Sequence, residues 1–239
     1  MDELLGPFEQ MLASVADRKI DPEVQWKAIE DSGYLDALVP EESGGAGLSL
    51  SDVEPLIRAL GRFAISSPVA EVMAKRGLGV DVLDRPLAAI LAVAEMAGLA
   101  EKILEMSLSY ANDRVQFGKP IGKLQVIQQQ LAVMGEQVLM ARMASQIGCK
   151  QGLTPSLEIA AVAKQVASFA APQIASIAHA VHGAIGITEE FDLQRHTRRL
   201  HALRLAHGSE GYWANIVGKT RLQSDRQSSV EFILSLRKS

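Results

Sequence analysis

Apolar residues recur at helical spacing along most of the 239-residue chain. One stripe covers residues 124–141, where apolar side chains stand three and four positions apart: Leu124, Ile127, Leu131, Met134, Val138 and Ala141. Residues 87–110 are apolar on nearly every side, as in a helix at the centre of a core. Alternating apolar and polar runs of strand length are scarce, so the pattern predicts an all-α protein.

An alanine-rich helix is predicted over residues 157–181. Pro172 falls inside it and is expected to kink this helix or to begin a new one, because proline lacks the amide that a helix interior uses. Residues 153–156 separate this helix from the preceding one. Ser156 is the candidate N-cap of the alanine-rich helix.

Glycine and proline punctuate the chain at two earlier places. Residues 40–47 contain one proline and three glycines and predict a loop. Residues 66–86 hold serines, prolines and two glycines, and they are the best candidate for a domain boundary. We expect an N-terminal helical domain over 1–78, a linker over 79–86 and a C-terminal helical bundle over 87–239.

Composition narrows the class of protein. The net charge of −4 argues against nucleic-acid binding, and the single cysteine, Cys149, leaves no internal disulfide and favours a cytoplasmic protein. The first ten residues show no basic stretch before an apolar run, so no signal peptide is expected. The most apolar window, residues 87–100, contains Glu95 and is too short to span a bilayer, so no membrane contact is expected.

A charged and aromatic turn precedes the striped helix, with the sequence Arg114-Val-Gln-Phe117-Gly118-Lys-Pro-Ile121. Arg114 offers a fork of donors that suits a phosphate or pyrophosphate, and Phe117 could pack against a flat ring. Gly118 would let the chain reverse. The alternative is an ordinary turn between two helices, in which the arginine caps carbonyl groups.

Two further stretches carry candidate binding groups. Gly183 and Gly186 would let backbone amides approach a ligand, although two glycines after a helix are also a common stop signal. Arg195, Arg198 and Arg199 share one helix face and could hold a polyphosphate such as the coenzyme A nucleotide. A solvated face, or ion pairs at a subunit interface, is the alternative for these arginines.

The histidines give no metal or hydrolase signature. His182, His196, His201 and His207 lack the spacing around a glutamate that marks zinc hydrolases. A nucleophile-elbow motif for serine catalysis is also missing from the sequence. No metal is therefore expected.

Taken in order, these stretches resemble the acyl-CoA dehydrogenase family. Residues 26–48 are similar to its N-terminal helical domain, including the run Val-Pro-Glu-Glu-Ser-Gly-Gly-Ala-Gly-Leu. Residues 110–134 resemble its most specific motif, Y…R.QFG.PI…Q.iQ..LA.M, and residues 181–188 resemble its glycine turn. Residues 188–193 and the arginine pair that follows resemble a bacterial branch associated with steroids and other bulky acyl-CoA thioesters.

The resemblance implies an FAD-dependent dehydrogenation of an acyl-CoA. In the family, the arginine of the R.QFG motif binds the FAD pyrophosphate of a neighbouring subunit, and the phenylalanine and a later glutamine line the same site. These roles fall on Arg114, Phe117 and Gln125. Gly183 and Gly186 would approach the adenine side across the subunit interface. The resemblance implies a homodimer or tetramer built by the C-terminal helices, or a hetero-oligomer with a full-length family member.

The first departure from the family is a missing domain. Family members carry a β-barrel-like middle domain between their two helical parts, whereas a short linker joins those parts here. The resemblance therefore predicts an acyl-CoA dehydrogenase-like N-terminal helical domain and a C-terminal four-helix bundle for FAD binding and oligomerisation. No β-barrel domain is expected between them.

The second departure concerns the catalytic base. The family removes the α-proton with a glutamate at one of two positions, which correspond here to His207 and Ala88. Neither position holds a carboxylate, so His207 and Glu210 are the candidate replacements. Glu95 is a further carboxylate on the helix of Ala88, and a buried pair in the helical core is its alternative role.

The third departure affects flavin binding. A glutamine and a glycine of the family's glycine turn are Ala180 and Ala184 here, while Ser209 replaces a threonine and keeps the hydroxyl. Three hypotheses follow: a partner subunit of a heteromeric acyl-CoA dehydrogenase, a structural or binding module without flavin, and an autonomous oxidoreductase that uses His207 or Glu210. We favour the first.

Overall fold

The computed structural model describes residues 2–17, 20–226 and 228–236, which form ten α-helices. Their bounds are α1 Asp2–Val15, α2 Pro22–Asp31, α3 Leu50–Arg62, α4 Val69–Leu78, α5 Arg85–Asp113, α6 Gln125–Cys149, α7 Leu157–His182, α8 Leu193–Leu205, α9 Glu210–Gln223 and α10 Ser229–Leu236. Short 3₁₀ turns occur at Tyr34–Asp36, Glu41–Ser43, Ile121–Lys123 and Gly183–Ile187.

Strands are confined to one small hairpin between α5 and α6. In the described ranges, only β1 (Val115–Gln116) and β2 (Lys119–Pro120) are strands, and they pair antiparallel. The prediction of an all-α protein without a β-barrel domain is confirmed. Helix α4 ends before Gly79, whose φ of 65° turns the chain, and α5 begins at Arg85. The connection between the two helical parts is therefore only a few residues long.

Short polar side chains mark the starts of the two longest helices of the bundle. Asp84 accepts a hydrogen bond from the amide of Leu87 at 2.9 Å at the start of α5. Ser156, the predicted cap, accepts from the amide of Ile159 at 3.3 Å at the start of α7. Both bonds satisfy first-turn amides that have no partner inside the helix.

Helix α7 runs through Pro172 without ending. Of the two outcomes expected there, a kink or the start of a new helix, the second is excluded. Proline removes a backbone hydrogen bond, at a cost of about 3 kcal/mol in a helix interior. Ala171 and Ile174 on either side of it are buried in the core, however, and packing of this face keeps the helix continuous.

Helix α5 is the centre of the fold. Residues 87–100 are buried without interruption, and α3, α6, α7 and α8 pack around them. One hydrophobic core contains Phe8 and Leu56 of the N-terminal helices together with Leu91 of α5 and Trp213 of α9. The N-terminal helices and the bundle thus share a core. Among the described helices, α5 included, none is long and apolar enough to cross a membrane.

Helices α3 and α5 touch backbone to backbone at Gly61 and Gly98. A Cβ on Gly98 would lie 2.8 Å from the carbonyl carbon of Arg58 and closer still to its oxygen. A Cβ on Gly61 would meet the carbonyl group of Glu95 in the same way. The two glycines therefore permit a close crossing that attaches α3 to the central helix.

Candidate functional site

Arg114 stands at the end of α5, where the chain enters the hairpin. Its amide donates to the carbonyl of Tyr110 at 2.9 Å, and its carbonyl accepts from the amide of Ile121 at 2.8 Å. Its guanidinium makes no hydrogen bond or ion pair with any residue that the structure describes. The described chain therefore does not use this arginine to cap carbonyl groups.

Phe117 lies at the tip of the same hairpin. Its side chain is 87% exposed, and its backbone is left-handed with φ of 52°. Phe117 and Gly118, whose φ is 75°, are the two central residues of the hairpin turn, and a two-residue turn of this kind needs left-handed backbone at both positions. The neighbouring Val115 is also exposed. A hairpin that presents an uncovered aromatic ring is well suited to contact another molecule.

Gln125 is the first residue of α6, a few residues after the hairpin, and its side chain is exposed. No side chain caps this helix start. Of the first amides of α6, that of Ile127 donates to the backbone carbonyl of Leu124 at 3.0 Å, and the helix dipole adds partial positive charge at this end. Together with Arg114 this end of the molecule is suited to an anionic group.

The glycine turn lies at the same end of the bundle. His182 stacks on Tyr110 with 4.6 Å between the ring centroids, and Tyr110 is one helical turn before Arg114. Gly183 has φ of 64°, and a Cβ there would meet nothing within 4 Å. Gly186 is buried against side chains of α7 and α8. Packing alone accounts for Gly186, whereas Gly183 is open to an approaching group.

Acid is expected to destabilise the protein through His182. Its Nδ1 donates to the carbonyl of Ala178 at 2.8 Å, and its Nε2 is buried. Burial lowers the pKa of His182 below the usual value. As pH falls, the unfolded chain takes up this proton first, so the stability of the neutral ring is present above about pH 6.5 and is lost below it.

Urea unfolding at about pH 7.5 and about pH 5.5 measures this effect. His182→Phe keeps a ring against Tyr110 but does not titrate, so it should lose less free energy of unfolding between the two pH values than wild type does. An equal loss in both proteins would exclude His182 as the source of the acid sensitivity.

The two positions that the resemblance assigns to a base lie at the opposite end of α5. Ala88 is in the first turns of α5 and is buried. Nearby, Arg85 donates to the hydroxyl of Tyr212 at 2.8 Å, which brings the start of α5 against α9. At 1.5 Å per residue, Ala88 and Arg114 are about 39 Å apart along the helix.

His207 occupies the tight turn between α8 and α9 and has φ of 59°. Its Nε2 lies 3.4 Å from a carboxylate oxygen of Glu71 on α4. Burial lowers the pKa of His207, and the Glu71 carboxylate acts against this shift. The imidazole is thus engaged with the N-terminal part of its own chain.

Glu210 is paired with Arg204, whose Nε donates to the carboxylate at 3.1 Å. This hydrogen bond lowers the pKa of Glu210, so the carboxylate stays ionised and is a weak proton acceptor. Ser209 starts α9, but its hydroxyl makes no capping hydrogen bond. The turn therefore brings together three predicted site residues, two of which already have partners within the chain.

The three arginines of α8 have different surroundings. Arg198 is exposed. Arg199 donates to the buried carboxylate of Glu95 at 2.8 Å, which is the core pairing considered above for that glutamate. Arg195 donates to backbone carbonyls at the ends of α1 and α3, at 2.7 to 3.1 Å. Tertiary packing thus separates side chains that helical spacing places on one face.

No motif in the sequence marks two charged residues near the turn between α8 and α9. Glu71 faces His207 from a helix far away in the chain, and no local pattern marks it. Lys164 is fully buried on α7. Its signal was a lone lysine on the apolar face of an alanine-rich helix. In the part of the chain that the structure describes, no three His, Cys, Asp or Glu side chains lie together as a metal site.

Comparison with known proteins identifies the family. Residues 83–222 match the family model described as acyl-CoA dehydrogenase, C-terminal domain. Acyl-CoA dehydrogenase IpdE2 of Mycolicibacterium smegmatis is 37% identical over 145 residues, covering 61% of this chain and 42% of that protein. Acyl-CoA dehydrogenase IpdE2 of Mycobacterium tuberculosis is 26% identical over 276 residues, covering 82% of this chain and 86% of that protein. The chain belongs to the acyl-CoA dehydrogenase family.

The two relatives also differ from this chain in extent. The matched region spans less than half of the Mycolicibacterium smegmatis protein. The alignment with the Mycobacterium tuberculosis protein is longer than this whole chain, so part of that relative has no counterpart here.

Two solved structures share the fold over nearly the whole chain. The match to the Tcur3481-Tcur3483 steroid ACAD has a TM-score of 0.79 and 16% identity, and it covers 93% of this chain and 97% of that one. The match to the ChsE4-ChsE5 complex from Mycobacterium tuberculosis has a TM-score of 0.76 and 15% identity, with 94% and 98% coverage. At these identities the likeness concerns the fold alone. The match covers nearly all of each solved chain, so few of their residues lie outside the shared fold.

Proposed function

We propose that this chain is a partner subunit in the FAD-dependent α,β-dehydrogenation of an acyl-CoA thioester. A longer subunit would supply the catalytic base and the domain that covers the flavin ring. Family membership supports the reaction class. Ala88 and His207 at the two base positions support a base from elsewhere, as does the engagement of Glu210 by Arg204.

The observation that carries the proposal is the hairpin with its unpaired Arg114 and exposed Phe117. The fold of the described chain makes no use of either side chain. The base positions, with Ser209 beside them, belong to the other end of α5, about 39 Å away along the helix. The hairpin would therefore serve a ligand centred on another subunit.

The residues at the hairpin end fit a dinucleotide. Arg114 would donate two parallel hydrogen bonds to a pyrophosphate, and Gln125 would add its side-chain amide. Phe117 would cover a flat ring, and the open backbone at Gly183 would allow close approach. FAD, when bound, supplies the hydride acceptor of the reaction. The role of this chain's residues is to bind and orient it.

A broad apolar surface on α6 and α7 supports assembly with another subunit. Its exposed side chains are Leu139, Met140, Met143, Ile147 and Phe169. A groove of about 200 Å³ between the two helices is lined by apolar side chains alone. Large contiguous apolar patches are uncommon on monomers and mark interaction sites. We propose a hetero-oligomer with a longer acyl-CoA dehydrogenase chain, and a homodimer or tetramer is the alternative.

We further propose a bulky, steroid-like acyl group as the substrate class. The fold shared with a steroid ACAD supports this choice. Arg198 is the candidate contact for the coenzyme A nucleotide, because it is exposed on α8. Arg199 is the weaker candidate, since its guanidinium already pairs with Glu95.

A structural or binding module without flavin is the second candidate function. Ala180 and Ala184 stand where the family's flavin-binding turn has a glutamine and a glycine. The contact between His207 and Glu71 favours this candidate, because it engages the residue at one of the two base positions with α4 of the same chain.

Visible absorption of the purified chain, alone and co-expressed with a longer acyl-CoA dehydrogenase, tests the proposal. A colourless chain that retains flavin only in the complex is the expected result. Flavin at one per subunit in the chain alone would contradict the need for a partner. A colourless preparation in both cases would favour the module without flavin.

Arg114→Ala is expected to weaken retention of FAD in that complex by roughly 10- to 100-fold, because a charge-assisted bidentate contact is lost. Flavin released after denaturation, measured across a dilution series, gives the magnitude. Lys119→Ala, which removes an equal charge from the same hairpin, is the control and should change retention far less. Equal losses of FAD in the two variants would show that Arg114 contributes only its positive charge and no specific contact.

A further inference from the structure

Lys164 is a lysine with no exposed surface, surrounded by alanines on α7. Its ammonium has three protons to donate, and four acceptors lie within hydrogen-bond distance of it. The acceptors are the carbonyl oxygens of Leu203 at 2.8 Å, Arg204 at 2.9 Å and Gly208 at 3.3 Å, and the hydroxyl of Ser168 at 3.2 Å. With this number of acceptors, all N–H donors of the buried ammonium are satisfied inside the protein.

Three of these acceptors belong to the end of α8 and to the turn that follows it. The last carbonyls of a helix have no partner inside the helix, and a positive charge is favourable beside them. Ser168, which is also buried, donates to the carbonyl of Arg204 at 3.3 Å. The side chain of Arg204 pairs with Glu210 at the start of α9. The turn is thus held by α7 on its inner side and by an ion pair across its ends.

The backbone of this turn is unusual. His207 has φ of 59° and Gly208 has φ of 112°. A β-carbon on Gly208 would lie 2.6 Å from the ring of Tyr212 and 2.8 Å from Nε1 of Trp213. A left-handed histidine persists only where its surroundings impose it. The buried ammonium bonds the carbonyls of Arg204 and Gly208, one on each side of His207, and is therefore placed to constrain it.

We propose that Lys164 is a positioning residue that sets the conformation of residues 206–209. Through this turn it holds the imidazole of His207 against Glu71. It also places the hydroxyl of Ser209 at the start of α9 without a capping hydrogen bond to the described helix. The proposal rests on the proposed function only for the use of this turn in an acyl-CoA complex. The effect of Lys164 on the conformation of the turn is a property of this chain alone and does not depend on the proposed function.

Lys164→Met tests the proposal, because methionine retains the length of the side chain and removes its charge and donors. Hydrogen exchange is measured on the full chain for residues 203–210 and for the centre of α5. We expect exchange in 203–210 to rise about tenfold or more, with α5 within about twofold of wild type. Lys219→Met, at an exposed position of α9, is the matched control and should behave as wild type. Uniform acceleration in both regions, or none, would overturn the proposal.

A second measurement uses the unaltered chain, in case Lys164→Met does not fold. In a protein labelled with ¹⁵N and ¹³C, scalar couplings across the hydrogen bonds are expected between Nζ of Lys164 and the carbonyl carbons of Leu203 and Arg204. An ammonium that exchanges freely with water and shows no coupling would overturn the proposal. Neither experiment uses flavin or a partner, so failure of the proposed function would leave both results interpretable.

Discussion

Gly98→Ala is expected to lower the free energy of unfolding by about 3 kcal/mol or more, at the upper end of the cost of overpacking. The reason is that the new methyl group would meet the carbonyl of Arg58 on α3. Backbone cannot move aside as a flexible side chain can, so α3 must separate from α5. That separation would open the core shared by the N-terminal helices and the bundle.

Urea unfolding followed by circular dichroism measures the effect. Gly135→Ala on α6 is the matched control, because a Cβ there would meet nothing within 4 Å. It should raise stability by about 0.5 to 1 kcal/mol through helix propensity. If Gly98→Ala were as stable as wild type, the backbone contact between α3 and α5 would be wrong. Gly61→Ala should reproduce the loss from the other side of the crossing.

Arg199→Met is expected to cost about 3 kcal/mol at neutral pH, because it leaves the buried carboxylate of Glu95 without its partner. Burial raises the pKa of Glu95, and Arg199 acts against that shift. Without the arginine, the pKa rises further. The folded chain then holds a proton that the unfolded chain releases, so the contribution of Glu95 to stability falls as pH rises through its folded-state pKa.

The pH dependence separates this mechanism from a simple loss of packing. The cost of Arg199→Met should be smaller at about pH 5 than at about pH 8. The double variant Glu95→Leu with Arg199→Met should recover most of the loss, because no charge remains buried. Arg198→Met, one position away on the exposed side, should change stability by less than about 0.5 kcal/mol. An equal cost of Arg199→Met at both pH values would contradict a buried, unpaired carboxylate as its cause.

Much of the fold was predictable from the sequence. The apolar stripe of residues 124–141 became α6, the all-round apolar segment became the buried part of α5, and Ser156 caps α7 as predicted. These features depend on periodicity and on side chains within a few residues of each other. At Pro172 the sequence left both a kink and a new helix open, and packing of the alanine face keeps the helix continuous.

The candidate site was predictable in part. The motif at Arg114 and Phe117 indicated a turn, and the structure adds that both side chains are uncovered. The arginines of α8 were placed on one face by their spacing, but their different partners depend on which helices pack beside them. Lys164 and Glu71 were missed because their partners lie dozens of residues away or more.

The sequence by itself determined the long helices of the bundle and the position of the turn that forms the hairpin, because these depend on residue type and local spacing. The family, and the lack of a carboxylate at its base positions Ala88 and His207, followed from the resemblance of the motifs. The tertiary structure alone decided that His207 faces Glu71, that Glu95 pairs with Arg199 and that Lys164 lies under the turn after α8. Burial and long-range packing create these contacts, since a charged group excluded from water must be paired by whatever the fold brings to it.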